Sequence, residues 1–339
     1  MTINDIAKLS NVSIATVSRV INNNGYVKKE TRKKIEDIIK ETSYSPNAMA
    51  RGLSKNSSLI IAVIMSNKVM AFFTEILDVI LTLASNEGFS VLFFNTFEDS
   101  IKEKNAILQA IEHRVAGIII LPVIEPTLET EQTLVLAEKS NIPVVLIDRE
   151  LHKTEFDIVL IDNKKVIYEG VKFLINEGHS KIAIVTCPEV VKKGGTRYEG
   201  YKEALKDNGL PLNKDFVYNG AFDEKSGYKA FEKFYSLETP PTAVIIACSS
   251  ATLGTMRYLS EFKLEPGKDI GVLAFDDIAL LKLLGVEITS IERPTKEIGK
   301  IAFEILNENI KNKEISTVKK KILLETHMNI KGSEKSTKI

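Results

Sequence analysis

Two spacings of apolar residues divide the chain near residue 58. Before this point, apolar residues recur at helical spacing in short blocks, which predicts three short helices within residues 3–42. The segment Thr2–Asp5 resembles a capping box that starts the first helix, and Ser13 can cap the second. The third helix is predicted from about Lys29 to Glu41. The amino-terminal part of the chain is therefore predicted to be all-α.

A fourth, very short helix is predicted over residues 47–54. Ser45 and Pro46 lie directly before it and provide an N-cap residue followed by a proline at the first helical position. A helix of this length is not stable alone in water. We therefore expect a conditional helix here, followed by a polar linker that ends at Ser58.

From Leu59 onward, apolar runs of strand length alternate with amphipathic helical stretches. This alternation predicts parallel sheets that are covered on both faces, and the number of strands indicates two lobes with a cleft between them. The predicted strands are Leu59–Met65, Ser90–Asn95, Gly117–Leu121, Pro143–Ile147, Ile158–Ile161, Lys181–Thr186, Ala243–Ala247, Ile270–Ala274 and Ile288–Glu292. The predicted helices include Phe72–Ser85, Lys164–Glu177, Thr196–Asn208 and Thr295–Asn309.

Charge is unevenly distributed, although the net charge of the 339 residues is zero. Residues 1–58 contain ten Lys and Arg and five Asp and Glu, a net charge of +5, so the rest carries −5. A basic head on an acidic body is typical of a nucleic-acid-binding module attached to a globular core.

Neither a secretory leader nor a membrane span is expected. Asp5 and Lys8 interrupt the apolar residues at the amino terminus, and the longest apolar runs, such as Val115–Val123, have only strand length. Cys187 and Cys248 lie far apart in apolar stretches, which favours buried free thiols over a disulfide or a metal site. We therefore expect a cytoplasmic protein without a cofactor.

The second helix has two distinct faces. The face predicted to pack inside the head comprises Val12, Val17, Val20 and Ile21. The opposite face comprises Ile14, Ala15, Ser18, Arg19 and Asn22. An isoleucine followed by an alanine is unusual on a solvated face, but both fit a DNA major groove, where apolar atoms can contact thymine methyl groups.

Polar groups of this helix can contact both bases and phosphates. Arg19 can make two hydrogen bonds to the O6 and N7 atoms of guanine. Ser13, Thr16 and Ser18 can donate to phosphates, and the amino terminus of a helix favours an anion. The spacing predicts a helix-turn-helix over Ile3–Asn22, while a plain three-helix bundle with a polar face stays open on spacing alone.

A specific motif runs through this region. Asp5–Ala7 and Val12–Asn22 match the pattern D-I-A…V-S-x-x-T-V-S-R-V-x-N. They resemble the DNA-binding head of the lactose/galactose repressor family, and Tyr44–Leu53 resembles that family's hinge helix. The resemblance continues through the core at Ile161–Asn163, Glu177–His179, Thr196–Tyr201, Pro241–Ala243, Phe275–Asp276 and Arg293–Thr295.

The resemblance implies roles in DNA binding for the head residues. The family's base-reading positions correspond to Ile14, Ala15 and Arg19. Its backbone-contacting positions correspond to Ser13, Thr16 and Asn22. Its hinge positions correspond to Asn47, Ala50 and Leu53. In the family, paired hinge leucines from two subunits wedge into the minor groove, which unstacks a base step and bends the duplex.

The family's core resembles periplasmic sugar-binding proteins, in which two lobes close on a ligand. Arg197 and Asp276 are the strongest candidates for an effector site, because a guanidinium and a carboxylate can hold sugar hydroxyls. Phe73 and Phe222 can pack on an apolar sugar or purine face. A surface charge at Arg197 and a core role for Phe222 stay open. The implied effector residues are Phe72, Phe73, Asp148, Arg149, Arg197, Phe222, Ser249 and Asp276.

Three parts of the core depart from the family pattern. Cys248 and Ser249 stand where the family usually carries Asn-Asp after a strand, and Arg293 stands where it often has glutamine. The loop 187–196 lacks a second arginine that some members have. The effector is therefore not readable from the sequence, and the loss of polar ligands would fit a degenerate pocket.

These features predict a sequence-specific DNA-binding transcription regulator, most simply a repressor of a carbohydrate-utilisation operon. Its partners would be a palindromic double-stranded operator, a small-molecule effector such as a sugar or sugar phosphate, and a second copy of the chain. The alternatives are a global catabolite-type regulator controlled by a phosphorylated partner protein, and a regulator that responds to a purine or another non-sugar ligand. Enzyme motifs are absent from the sequence, so catalysis is not expected.

The predicted fold class is an all-α helix-turn-helix head followed by an α/β, two-lobed, periplasmic-binding-protein-like core with parallel sheets. The predicted domains are a head at 1–45, a hinge and linker at 46–58, a core at 59–332 and a tail at 333–339. Within the core, the lobes are expected at 59–161 with 291–322, and at 162–290 with 323–332. The residues after Leu324 lack apolar heptads, which favours a dimer over a tetramer.

Overall fold

A computed structural model describes the chain at residues 1–21, 24–42, 58–66, 71–186, 196–221, 223–313 and 315–336. The chain divides into two compact units, Met1–Leu59 and Ile60–Ile339. The first unit is the helical head and the second is the α/β core. Within the described part of the chain, no helix combines the length and the apolar character needed to cross a bilayer.

The described part of the head contains three helices around a small apolar core. They are α1 (Ile3–Ser10), α2 (Ile14–Ile21) and α3 (Lys29–Glu41). Ile6, Val17 and Ile35 are fully buried where the three helices meet. The predicted capping box is confirmed, since the backbone nitrogen of Thr2 donates to Asp5 Oδ2 at 2.8 Å and the Thr2 side chain accepts in return from the Asp5 nitrogen. The predicted bounds of the third helix are also confirmed.

The first lobe of the core is a six-stranded parallel sheet between two layers of helices. Its strands, in spatial order, are β11 (Lys321–Leu324), β5 (Asp157–Ile161), β4 (Val144–Ile147), β3 (Gly117–Ile120), β1 (Ile60–Met65) and β2 (Ser90–Asn95). Its helices are α4 (Ala71–Asn86), α5 (Ser100–Glu112), α6 (Leu128–Lys139) and α12 (Thr295–Asn312). Alternate residues of β1 belong to different core clusters, Ile61 with α4 and α12 and Ala62 with α5 and α6, so both faces of this apolar strand are covered.

The second lobe repeats this architecture. Its strands, in spatial order, are β12 (His327–Asn329), β10 (Thr289–Glu292), β9 (Gly271–Phe275), β8 (Ala243–Ile246), β6 (Ile182–Thr186) and β7 (Val217–Asn219). Its helices are α7 (Asn163–Asn176), α8 (Arg197–Asp207), α9 (Glu224–Tyr235), α10 (Ser249–Glu261) and the short α11 (Ala279–Leu283). All neighbouring strands are parallel except β10 and β12. The predicted fold class is confirmed.

The chain crosses between the lobes three times in the described residues, after β5, β10 and β11. β10 pairs wholly within the second sheet and β11 wholly within the first. The second and third crossings therefore follow Glu292 and Leu324, slightly later along the chain than the sequence suggested.

Three strands escaped the sequence analysis: β7, β11 and β12. Each lies at the edge of its sheet and is only three or four residues long. An edge strand has one neighbour and is only partly covered, so it needs no long apolar run. Their residues are exposed or half-buried, in contrast to the wholly buried strands inside the sheets.

The first residues of the tail predicted at 333–339 pack against the second lobe. Ser333 and Glu334 are buried. Ser333 Oγ donates to the Val272 carbonyl at 2.7 Å, and the Val272 nitrogen donates to the Ser333 carbonyl at 2.6 Å. The Glu334 carbonyl lies 2.8 Å from His179 Nε2. The segment stays in place because it satisfies polar groups at the start of β9 that would otherwise be buried alone.

A fully buried carboxyl group lies on α5. Glu103 Oε2 accepts a hydrogen bond of 2.7 Å from the backbone nitrogen of Val123, while Oε1 has no hydrogen-bond partner. Burial raises the pKa of Glu103 to about 7. Because this pKa exceeds that of the unfolded chain, near 4.5, the folded state binds the proton more tightly. The stability that protonated Glu103 contributes is therefore fully present at low pH and is lost as the pH rises from about 4.5 through 7.

A second buried glutamate provides the opposite case. Glu131 on α6 is 2% exposed. Burial tends to raise its pKa, but hydrogen bonds outweigh burial and lower it. The donors are the backbone nitrogens of His152, Lys153 and Thr154 and the hydroxyl of Thr154.

We expect Glu103→Gln to raise the free energy of unfolding at pH 8 by about 2 kcal/mol, because it removes a buried charge. The gain should shrink towards pH 5. The matched variant Glu131→Gln should instead destabilise the protein at pH 8, because it weakens hydrogen bonds to a carboxylate. Urea denaturation at both pH values measures these changes. A stability gain from Glu103→Gln that does not depend on pH would contradict the assignment of this buried charge.

Candidate functional site

The outward face of α2 carries apolar and basic side chains. Ile14 is 50% exposed, and Ala15 and Arg19 are also exposed. Val17 and Val20 are buried against the other helices of the head. The predicted division of this helix into a packed face and an outward face is confirmed for these residues. An exposed isoleucine beside an alanine and an arginine gives this face the chemistry of a major-groove surface.

Two hydroxyl groups lie together at the amino terminus of α2. Ser13 Oγ lies 2.9 Å from Thr16 Oγ1 and accepts a hydrogen bond of 3.2 Å from the Thr16 nitrogen. The turn before it depends on Asn11, whose φ of 55° ends α1. Hydroxyl donors at a helix amino terminus suit a phosphate, because the free N–H groups and the helix dipole also favour an anion.

Arg19 is placed beside a glycine that the backbone requires. Gly25 has a φ of 81°, which side chains rarely tolerate. A β-carbon at this position would lie 3.7 Å from Arg19 Cδ. The chain after α2 therefore passes close to the stem of Arg19, which is an exposed residue.

Several predicted site residues lie outside the described residues. In the DNA-binding set they are Asn22, Asn47, Ala50 and Leu53. In the effector set it is Phe222. Cys187 also lies outside them, whereas Cys248 is buried.

The interlobe cleft begins at two aspartates in equivalent places. Asp148 directly follows β4 of the first sheet, and Asp276 directly follows β9 of the second. Their φ angles of 64° and 68° both lie in the left-handed region. Such backbone conformations cost energy in residues other than glycine and are held in place by surrounding contacts.

Arg293 joins these two aspartates. Its Nε and Nη2 atoms donate to the two carboxylate oxygens of Asp276 at 2.7 and 2.6 Å. Its Nη1 donates to Asp148 Oδ1 at 3.3 Å. The Arg293 side chain is only 5% exposed. A two-pronged hydrogen bond between arginine and carboxylate is among the stronger charge-assisted contacts in proteins.

The guanidinium of Arg293 also lies against aromatic rings. Its central carbon lies 3.2 Å from the centre of the Phe72 ring and 5.2 Å from that of Phe275. Burial alone lowers the pKa of Arg293, but the carboxylates of Asp276 and Asp148 outweigh burial and raise it. The cation is therefore retained and fully enclosed by groups from both lobes.

Arg197 and Ser249 also face this cluster. Arg197 starts α8, donates to the Asn163 side chain at 2.8 Å and to the Ala247 carbonyl at 2.6 Å, and lies 3.7 Å from the Phe275 ring centre. Ser249 starts α10 and donates to Asp276 Oδ2 at 2.7 Å. Both helices thus begin at the cleft, at the carboxyl ends of the strands.

The remaining candidates face inward within the first lobe. Phe73 is 6% exposed and packs edge-on against Phe72. Arg149 donates to Glu98 at 2.9 Å and to the Pro122 carbonyl at 2.7 Å. The structure thus brings together Phe72, Asp148, Arg197, Ser249 and Asp276, whereas Arg149 is engaged by its own lobe.

Sequence reasoning missed the central role of Arg293. In the sequence, Arg293 stands out only as a departure from a common glutamine. Its place directly after β10 and next to Pro294 marked it as a residue at the carboxyl edge of the second sheet. Among the residues that the structure describes, no group of three or more His, Cys, Asp or Glu is arranged to hold a metal ion.

Comparisons with known proteins agree with both units. The family model described as "Bacterial regulatory proteins, lacI family" matches residues 2–47. The model described as "Periplasmic binding proteins and sugar binding domain of LacI family" matches residues 58–331.

Similar proteins cover nearly the whole chain. The HTH-type transcriptional repressor PurR of Vibrio campbellii is 32% identical over 313 residues, which cover 92% of this chain and 93% of that protein. The probable HTH-type transcriptional regulator EndR of Paenibacillus polymyxa is 32% identical over 317 residues, 92% of each chain. The crystal structure of the lac repressor dimer bound to operator and the anti-inducer ONPF aligns with a TM-score of 0.84 at 25% identity and covers 99% of both chains. The chain therefore belongs to the LacI family of bacterial regulatory proteins and is a DNA-binding transcription regulator.

Proposed function

We propose that the chain is a repressor that binds a palindromic operator as a homodimer. Its operator affinity would fall or rise when an effector binds between the core lobes. The observation that carries this proposal is the outward face of α2, where Ile14, Ala15 and Arg19 are exposed on a helix whose other side is buried. Hydroxyl groups at Ser13, Thr16 and Ser18 would position the helix on phosphates. A protein with this role works in the cytoplasm, by binding rather than by catalysis.

The proposed hinge spans residues 46–58, between a head at 1–45 and the core. Asn47, Ala50 and Leu53 would enter the minor groove, with the leucines of two subunits as the wedge. A helix this short cannot offset its nucleation cost alone, so it would form only on DNA. This would make the segment a switch between the core and the head.

The proposed effector site lies in the cleft around Arg197 and Asp276, with Phe72, Asp148 and Ser249 beside them. A sugar or sugar phosphate fits the polar groups that converge there. A purine is the second candidate, because relatives of this chain include repressors named PurR. Control by a phosphorylated partner protein is a third, and it is favoured by one observation: Arg293 already holds the Asp276 carboxylate.

Two exposed apolar patches support dimerisation through both lobes. On the second lobe, Leu280, Leu283 and Leu284 are 53%, 83% and 70% exposed. On the first lobe, β2 forms a sheet edge, where Phe93 and the following Phe97 are 41% and 54% exposed. Adjacent exposed leucines or phenylalanines are typical of protein–protein interfaces. The lac repressor of the aligned crystal structure is a dimer.

DNA reading by α2 is tested on an operator selected by the wild-type protein from random sequences. Arg19→Ala should cost about 1–3 kcal/mol of binding free energy and relax the preference at one G·C pair. Ile14→Ser should weaken binding to the same operator and leave binding to random DNA almost unchanged, because non-specific binding depends on phosphate contacts.

The matched control for Ile14→Ser is Leu9→Ser, since Leu9 is similarly exposed, at 54%, but lies on α1. Fluorescence anisotropy at several salt concentrations measures both affinities. Unchanged operator affinity and base preference in Arg19→Ala would show that α2 does not read the bases.

The leucine patch is tested by Leu283→Glu. We expect the dimer dissociation constant to rise at least about tenfold, because a buried charge disfavours an apolar interface. Leu212→Glu is the matched control, an exposed leucine elsewhere on the second lobe. Analytical ultracentrifugation over a concentration series gives both constants. A Leu283→Glu protein that stays dimeric at the wild-type concentrations would place the interface elsewhere.

A further inference from the structure

Arg293 lies where the chain passes from one lobe to the other. It directly follows β10 of the second sheet, and α12 of the first lobe begins two residues later, at Thr295. A side chain at such a crossing can contact both lobes without spanning a long distance. Its contacts therefore depend on how the lobes are arranged.

The guanidinium of Arg293 is held from both sides. Asp276 of the second lobe receives two of its hydrogen bonds, and Asp148 of the first lobe receives a third. The Phe72 ring on α4 of the first lobe covers one face of the guanidinium. Separation of the lobes would break one set of these contacts and would expose a cation that is now almost completely buried.

The same contacts occupy most of the acceptor positions of Asp276 that a polar ligand would need. Each carboxylate oxygen accepts about two hydrogen bonds. Asp276 Oδ2 already accepts from Arg293 and from Ser249, and Oδ1 accepts from Arg293. A hydroxylated ligand that makes more than one hydrogen bond to this carboxylate must displace the guanidinium.

We infer that Arg293 acts as a built-in ligand of the cleft: it ties the lobes together in the absence of effector and determines which effectors can enter. This inference rests on the proposed function only in treating the cleft as the effector site. A ligand without negative charge that breaks the Arg293–Asp276 pair leaves the buried guanidinium of Arg293 without its main partner. A ligand with a phosphate or carboxylate group can replace that partner. Among the sugar and sugar phosphate effectors proposed above, the cleft therefore favours those with an anionic group.

Hydrogen–deuterium exchange of the full-length protein, without DNA or effector, tests the link between the lobes. Asp148→Asn removes the first-lobe charge and leaves the Asp276 pair intact, and asparagine tolerates the left-handed backbone at this position. Arg293→Gln removes the whole link. Lys319→Gln is the control, because it breaks a similarly buried ion pair, with Glu138, inside the first lobe alone.

The readout is exchange in two cleft-lining segments, 71–78 of the first lobe and 249–256 of the second. We expect both segments to exchange at least about threefold faster in Asp148→Asn and at least about tenfold faster in Arg293→Gln, since local opening sets the exchange rate. In Lys319→Gln their rates should stay within about twofold of the average change over the rest of the protein.

Wild-type exchange of both segments in Asp148→Asn and in Arg293→Gln would overturn the inference. If Arg293→Gln does not fold, Asp148→Asn decides alone, because it keeps the buried Arg293–Asp276 pair. Failure of the chain to bind an operator would contradict the proposed function but would leave this result unaffected, since the measurement contains no DNA.

Discussion

A guanidinium that is buried away from water needs negatively charged partners, and in this cleft the buried guanidinium is that of Arg293. The carboxylates of Asp148 and Asp276, one from each lobe, both accept hydrogen bonds from it. Removal of one partner from such a buried pair is costly, because the remaining charge is left uncompensated. The arrangement of the lobes and the chemistry of the cleft therefore depend on the same side chain.

The fold supplies the geometry that makes this pairing possible. Parallel strands place their carboxyl ends at one edge of each sheet, and the loops that follow them form the ligand-binding edge in such folds. Asp148 and Asp276 leave equivalent edges with the same left-handed backbone conformation, and the helices that start with Arg197 and Ser249 begin beside them. Three chain crossings connect the lobes, so a change in the cleft can alter how they are oriented. In a dimer joined through both lobes, a change in lobe orientation would alter the spacing of the two heads.

Much of the fold follows from the apolar pattern, because buried strands and amphipathic helices have distinct periods. The helix Lys29–Glu41 and the nine interior or long strands were predicted to within a residue or two. The edge strands β7, β11 and β12 were not predicted, because partly buried strands need few apolar residues and show no long apolar run in the sequence. Ser333 and Glu334 escaped for a related reason, since polar side chains that satisfy buried backbone groups resemble a solvated tail in sequence.

The candidate sites divide in the same way. The outward face of α2 could be derived from the sequence, because helical spacing determines which residues share a face. The cleft residues Arg197, Ser249 and Asp276 came from a family resemblance, and the structure places them around one cluster. The pairing of Arg293 with Asp148 and Asp276 could not be foreseen, since these residues lie 145 and 17 positions away and no local pattern links them.

The most direct test of the account compares the operator affinity of the wild-type protein with that of Asp148→Asn, in the absence of effector. If the link between the lobes is coupled to the heads, loss of the Asp148 charge should change the dissociation constant by roughly 5–150-fold, a coupling free energy of about 1–3 kcal/mol. Lys319→Gln should leave this constant unchanged. Equal operator affinity in wild type and Asp148→Asn, with faster exchange in the cleft of the variant, would contradict the claim that the state of the cleft controls DNA binding.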